Sequence, residues 1–208
     1  MAETRTQQAQ QAQQAEQAQR TQQAERLGRL RELAGAVPDP ELPFVSLAEL
    51  GVLRDVREAG EGGVEVELTP TYTGCPAIES MATDVERVLR EHGVPHVTVR
   101  TVLTPPWSTD DISAEGSRKL AEAGIAPPRA TGTGPVTVGL GPTRTAGDGP
   151  EAHAGPAAET AGPEPEPVRC PLCGSAATTL LSRFSSTACK ALRRCESCRE
   201  PFDHFKEL

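Results

Sequence analysis

The chain has 208 residues, a formal net charge of −8 at pH 7, 3% aromatic residues, 19 glycines and 19 prolines. That length suits one or two domains, and this composition excludes one large core, so part of the chain is expected to stay solvated. The acidic balance argues against general affinity for nucleic acid or an anionic membrane. No apolar run reaches membrane-spanning length and the N-terminus lacks the series of a signal peptide, so a cytoplasmic, reducing setting without a membrane partner is expected.

Residues 1–24 repeat Gln and Ala. Both tolerate helix, but the stretch has no apolar stripe, so it reads as a disordered or frayed helical arm. An α+β domain is expected over residues 25–128. Leu27, Leu30 and Leu33 mark one helical face, and Val37-Pro38-Asp39-Pro40 ends that helix, because proline lacks the donor and disfavours helix in the residue before it. Ser46 can cap a short helix to Leu50, closed by Gly51. Val52 to Val56 and Val64 to Leu68 alternate across three glycines, a hairpin pattern. The loop Thr69-Pro70-Thr71-Tyr72-Thr73-Gly74-Cys75-Pro76 then leads into a helix marked by Ile78, Met81, Ala82, Val85, Val88 and Leu89, with Pro76 in its first turn. His96 to Leu103 alternates as a third strand. Ser113 to Ala123 is a last amphipathic helix, ended by Gly124 and Pro127-Pro128. Residues 129–167 are Gly, Pro, Thr, Ala and acid, a flexible linker in which Val136-Thr137-Val138 can form a small edge strand. Residues 168–208 are a second folded unit.

That unit carries Cys170-Pro171-Leu172-Cys173 and Cys195-Glu196-Ser197-Cys198. Two-residue spacing turns both sulfurs of a knuckle toward one ion, and two knuckles supply four thiolates for a tetrahedral site. A zinc β-ribbon with Cys170, Cys173, Cys195 and Cys198 as ligands is expected, in preference to disulfides. Zinc there supplies folding energy, although the same ligands hold iron and spacing does not separate the metals. Cys189 lies between the knuckles, either packed in the ribbon core or facing out as a partner or cluster contact.

Cys75 stands alone at the mouth of a predicted helix, where free N–H groups favour a thiolate, and Gly74 leaves the sulfur uncrowded. Such a thiol can bind a soft metal or pass a cluster onward; it can equally be a small buried hydrophobe. Thr71 and Thr73 approach it along the loop. Asp39 and Glu41 read as turn residues that can share the site. Trp107, in Thr104-Pro105-Pro106-Trp107-Ser108-Thr109-Asp110-Asp111, reads as a plug or a binding face, and the aspartates as caps.

The blocks Val37-Pro38-Asp39-Pro40-Glu41-Leu42-Pro43 to Leu50-Gly51, Gly74-Cys75-Pro76 and Pro105-Pro106-Trp107 resemble the iron–sulfur cluster assembly factor domain associated with the SUF system. The ribbon's Phe184-Ser185-Ser186-Thr187-Ala188-Cys189-Lys190-Ala191 and Glu200-Pro201-Phe202-Asp203-His204-Phe205-Lys206 are similar to the D-subunit family of phenylacetyl-CoA epoxidase, the multicomponent oxygenase of aerobic phenylacetate breakdown. Glu49 replaces the family's usual aspartate before Leu-Gly, and Ser108 a frequent threonine. The resemblance implies an α+β fold with a small mixed sheet and helices on one face. It also implies a non-catalytic accessory role in maturing the oxygenase. Cys75 is then the candidate for transient iron or iron–sulfur cluster binding, with Asp39 and Glu41 helping to form the site and Trp107 matching the Pro-Pro-Trp block. The implied partners are the oxygenase and reductase subunits and the iron–sulfur assembly machinery.

Two other readings stand beside this one. A zinc-ribbon adaptor can bind a protein or nucleic acid without delivering metal, using Arg183, Lys190, Arg193, Arg194 and Arg199, although interleaved acids make these read as solvated surface. An enzymatic role for Cys75 as nucleophile or sulfur carrier lacks a paired histidine motif, and the chain has no phosphate loop or dinucleotide fingerprint.

Overall fold

The computed structural model describes residues 2–60, 62–129 and 167–207. The hairpin pattern is realised as β1 (Leu53–Glu58) antiparallel to β2 (Val64–Leu68), and β3 (Val97–Thr101) adds to β2 in parallel, giving the order β1-β2-β3. Val64, Val66 and Leu68 alternate inward on the central strand, as a sheet covered on one face requires. β1 departs from strict alternation. A bulge between Leu53 and Asp55 inserts a residue, so Leu53 and Val56 both face the core.

Two helices cover that face. In α1 (Ala2–Gly35) the Gln/Ala stretch and the leucine stretch are one continuous helix, with no break near residue 24. Among its described side chains, burial is confined to the C-terminal end, through Leu30 and Ala34, where the leucine stripe lies. Arg31 adds an ion pair to Asp55 at 3.2 Å and a hydrogen bond to the Arg54 carbonyl at 2.9 Å. α2 (Ile78–Glu91) buries Met81, Val85 and Leu89 at three- and four-residue spacing. Pro76 falls just outside this helix, since Ala77 is its N-cap, and not in the first turn.

The short helix expected after Ser46 is a single turn. Ser46 N–H donates to Glu49 Oε2 at 2.9 Å and Glu49 N–H donates to Ser46 Oγ at 3.3 Å, the reciprocal arrangement that starts a helix. Gly51 then ends it at φ +70°, and a Cβ there would lie 2.5 Å from the Asp111 carbonyl oxygen. α3 (Ala114–Glu122) starts at Ser113, whose Oγ accepts from Gly116 N–H at 3.0 Å.

The second sheet crosses between the two parts of the chain. β4 (Ile125–Ala126) leaves α3 and pairs in parallel with β7 (Pro201–Phe205). β7 is antiparallel to β6 (Lys190–Cys195), which pairs with β5 (Thr178–Ser182), so the order is β4-β7-β6-β5. Phe205 and Cys189 belong to the same buried cluster as Leu50, Leu68, Cys75 and Trp107. The ribbon is therefore docked on the α+β unit. The linker expected over 129–167, with Val136-Thr137-Val138, lies outside the described residues apart from Arg129 and Pro167. No described helix is long and apolar enough to cross a membrane.

Candidate functional site

The ribbon knuckles are built alike. Gly174 N–H donates to the Cys170 carbonyl at 2.8 Å, and Arg199 N–H donates to the Cys195 carbonyl at 3.0 Å. The residue after each second cysteine is left-handed: Gly174 has φ +74° and Arg199 φ +68°. Glycine adopts that angle freely, whereas an arginine adopts it only where the surrounding structure requires it. The result is that the sulfurs of Cys170, Cys173, Cys195 and Cys198 all lie within 4.8 Å of one another. Cys170 and Cys198 Sγ are 3.8 Å apart, and Cys173 and Cys195 Sγ 3.5 Å. A tetrahedral zinc with Zn–S bonds of about 2.3 Å spaces its sulfurs by about 3.8 Å. The quartet fits zinc. The N–H groups of Cys198 and Ser197 already pull the Cys195 thiol down to about 6. Such a closed four-sulfur centre supplies folding energy and has no open position for a substrate.

Cys75 occupies a different environment. The turn before α2 holds it, with its N–H donating to the Tyr72 carbonyl at 3.2 Å and its carbonyl accepting from Ile78 N–H at 3.4 Å. The residue is 7% exposed. The sequence suggests an uncrowded sulfur whose helix terminus favours a thiolate; the structure reverses both points. Burial pushes the thiol pKa up and outweighs the Ala77 N–H, and the charges of Glu41, Asp39 and Cys189 push it further.

Those neighbours come from both units of the chain. Asp39 is buried, and its Oδ1 accepts from the N–H groups of Glu41 and Leu42, each at 2.8 Å. Burial pushes its pKa up; Glu41 is raised by burial and then by Asp39. From the ribbon come Cys189, whose Sγ lies 3.0 Å from Thr187 Oγ1, and Lys190. Lys190 is the cation that draws on Asp39, Glu41 and Cys189, and its Nζ is already 3.2 Å from Asp203 Oδ2. Tyr72 faces the same place: burial raises its phenol, then Cys75, Glu41 and Cys189 do.

Of the residues expected around Cys75, Asp39 and Glu41 are near enough for their charges to raise its pKa. Thr71 instead lines a cavity of about 330 Å3 with Thr69, Tyr72, Thr73, Leu103, Pro106 and Trp107. The Thr69 hydroxyl is buried beside it without a hydrogen-bond partner. Trp107 is a bracket. Its indole N–H donates to the Leu50 carbonyl at 2.8 Å, and its ring lies 5.9 Å from the Phe205 ring. The two departures in sequence keep their structural jobs: Glu49 accepts from Lys119 at 2.7 Å, and Ser108 forms a capping box with Asp111. Cys189 and Lys190 are what residue-level reasoning did not bring to this site. The available signal was a fifth ribbon cysteine outside both knuckles.

Comparison with known proteins agrees with both units. Residues 30–104 match the family model "Iron-sulfur cluster assembly protein", and residues 154–206 match the "PaaD zinc beta ribbon domain". The chain is 41% identical over 174 residues to an Escherichia coli (strain K12) protein named as the D-subunit of 1,2-phenylacetyl-CoA epoxidase. That match covers 84% of this chain and 88% of the relative. It is 34% identical over 85 residues to an "Fe-S protein maturation auxiliary factor" of Porphyromonas gingivalis (strain ATCC BAA-308 / W83), covering 40% of this chain and 80% of that one. Among solved structures, a domain of unknown function from Bacillus anthracis matches 48% of this chain and 95% of its own, at 30% identity and TM-score 0.45.

Proposed function

We propose, starting from the fact that this chain belongs to the D-subunit family of phenylacetyl-CoA epoxidase, that it is a non-catalytic accessory factor of that oxygenase in phenylacetate breakdown. It assists insertion of iron or an iron–sulfur cluster into the oxygenase or its reductase, and its partners are those subunits together with the iron–sulfur assembly machinery. The assembly-protein match over residues 30–104 and the maturation factor among its relatives support this reading. The observation that carries it is that match over residues 30–104, within which Cys75 is buried and feels the charges of Glu41 and Asp39. A thiol with carboxylates nearby offers soft sulfur and hard oxygen, donor types that iron accepts. Zinc resides separately in the ribbon, which orients the unit toward its client. Six free thiols fit a reducing cytoplasm.

Co-expression tests it. Cys75→Ala is expected to leave the fold and ribbon zinc intact while the co-expressed oxygenase system emerges depleted of most of its iron, measured by metal and sulfide analysis after anaerobic purification. The near-complete burial of Cys75 favours one other reading, an adaptor that docks through its ribbon and delivers nothing. Full iron content and activity with Cys75→Ala would establish that adaptor and reject delivery.

A further inference from the structure

Three features lie outside that reading. One is the cavity beneath Thr71 and Trp107, whose lining is mostly apolar or hydroxylic and offers no charged group to a ligand. A second is a cleft of about 300 Å3 lined in part by Arg26, Arg29 and His92. Arg26 there is already held by Glu58 at 3.2 Å and by the Gly62 carbonyl at 2.9 Å, and the end of α2 presents carbonyls, which repel an anion. The third is the outer edge of the ribbon, and it carries the argument furthest.

The ribbon is the basic part of an acidic chain. Residues 168–208 hold seven Lys and Arg against four Asp and Glu, whereas residues 1–167 hold 14 against 25. A zinc ion with four thiolates removes part of that excess but does not reverse it. Several of these cations are engaged within the ribbon. Lys190 pairs with Asp203 at 3.2 Å, Arg194 with Glu196 at 3.1 Å, and Arg193 donates to the Thr178 carbonyl at 3.5 Å. Arg183 and Lys206 differ. Among the described residues neither forms an ion pair; Lys206 Nζ lies 4.8 Å from the centre of the Phe184 ring and 3.4 Å from the Arg183 carbonyl. Phe184 itself is 66% exposed, and Leu180 and Leu181 are 45% and 51% exposed. Single exposed apolar residues are ordinary, but here three large ones stand in water within five residues of chain. They sit on β5 and the turn after it, at the edge of the sheet farthest from β4, so docking on the α+β unit leaves them uncovered. A bulge between Leu180 and Ser182 inserts Leu181 into this edge. Such a bulge twists the strand, which hinders pairing with a further strand and leaves recognition to the side chains.

We infer that the β5 edge is the surface by which this protein holds a partner protein, through a partner segment that combines an apolar anchor side chain with acidic residues. The anchor covers Phe184, Leu180 and Leu181, and the carboxylates meet Arg183 and Lys206, which have no ion pair of their own. A nucleic acid needs a run of free cations for its phosphates, and two leucines offer it nothing. The identity of the partner as an oxygenase or reductase subunit rests on the accessory-factor reading. The surface itself rests on exposure and charge.

The test uses the full chain, zinc-loaded, and the purified oxygenase and reductase components of the phenylacetyl-CoA epoxidase system, with binding followed by interferometry at low and high salt. Wild type is expected to bind one component, more weakly as salt rises. Phe184→Ala is expected to weaken that binding by about 10-fold through faster dissociation. Arg183→Gln with Lys206→Gln is expected to slow association by about 10-fold at low salt and to remove most of the salt dependence. Zinc content and Cys75 alkylation matching wild type show that these variants keep the fold. Wild-type affinity in both variants overturns the inference, as does a wild type that binds neither component. Binding to duplex DNA or single-stranded RNA that falls in the same variants, with no component bound, assigns the edge to nucleic acid and overturns it. A Phe184-dependent dimer in sedimentation, again with no component bound, assigns the edge to a second copy and overturns it too. Oxygenase iron loading separates the two levels. Binding lost in Phe184→Ala, with loading unchanged there and in Cys75→Ala, keeps the surface and rejects delivery. Loading that depends on Cys75, with binding and loading unchanged in Phe184→Ala, rejects the surface and leaves delivery standing.

Discussion

Four thiols of this chain sit on the two knuckles of the ribbon, and the other two, Cys75 and Cys189, are buried in the core cluster that joins the ribbon to the α+β unit. Each knuckle is set by local geometry, a short turn with the same carbonyl contact and the same left-handed residue, and the β5–β6 pairing inside the ribbon brings the two together at Sγ–Sγ distances of 3.5 and 3.8 Å. The pair depends on long-range packing. Cys75 comes from the loop before α2 and Cys189 from the start of the β6–β7 hairpin, and they join one core cluster because β4 extends the ribbon sheet and Phe205 packs at a tilt against Trp107. The first arrangement closes tightly around an ion that stays. The second is a buried part of the core that depends on the ribbon staying docked.

Removing zinc is the most severe way to probe this contrast. Structural zinc contributes about 10–16 kcal/mol in small zinc domains, comparable to the whole stability of a typical domain. Chelation is expected to abolish amide-exchange protection in β5, β6 and β7 while β1–β3 stay protected, and to expose Cys75 to alkylation. Protection persisting in β6 after complete zinc removal would break the assignment of the quartet as the ribbon's main source of stability.

Phe205→Ala sharpens the same contrast from the other side. Phe205 is 1% exposed and lies on a ribbon strand, yet packs in the core of the α+β unit. Truncation is expected to cost about 3–5 kcal/mol in denaturant unfolding. It should raise the rate of Cys75 alkylation with zinc content unchanged. If Cys75 stays equally protected, the ribbon is not its cover.

Asp39→Asn is the mildest change. Burial raises the Asp39 pKa above its ordinary value, so the folded state holds its proton more tightly than the unfolded chain does. The associated stability is fully present below the unfolded pKa, about pH 4, and is lost as pH rises through the folded value. An asparagine can still accept the Glu41 and Leu42 N–H groups. The variant is therefore expected to equal or exceed wild-type stability at pH 7 and to lack that part of the pH slope. Lower stability at pH 7 would show that the carboxylate is structural.

Much of the architecture was legible in the residues. Alternating Val64, Val66 and Leu68, the spacing of Met81, Val85 and Leu89, and the two C-x-x-C pairs each report a local requirement: a half-buried strand, a helix face, an ion. The bulge at Leu53 and Asp55 was not legible, because two inward residues across an inserted one look like a lapse in pattern. The continuity of α1 was obscured for a similar reason. Its Gln/Ala half buries little, so burial leaves no mark in its sequence. At the pocket, Asp39 and Glu41 were within reach only through resemblance, since a carboxylate in a proline-rich turn looks like any solvated turn.

What the chain's own chemistry settles, then, is the set of parts: strands and helices from periodicity, the four-sulfur centre from two short spacings, the turn that presents Cys75. Their mutual placement is another matter. Cys189 carries nothing in its neighbourhood that points to Cys75; they meet because β4 joins β7 and aromatic rings bury against each other. Contacts between residues so far apart in sequence arise from surfaces that exist only after each unit has folded. Local spacing specifies the four-sulfur centre, and packing between units decides that Cys75 and Cys189 are buried in one core.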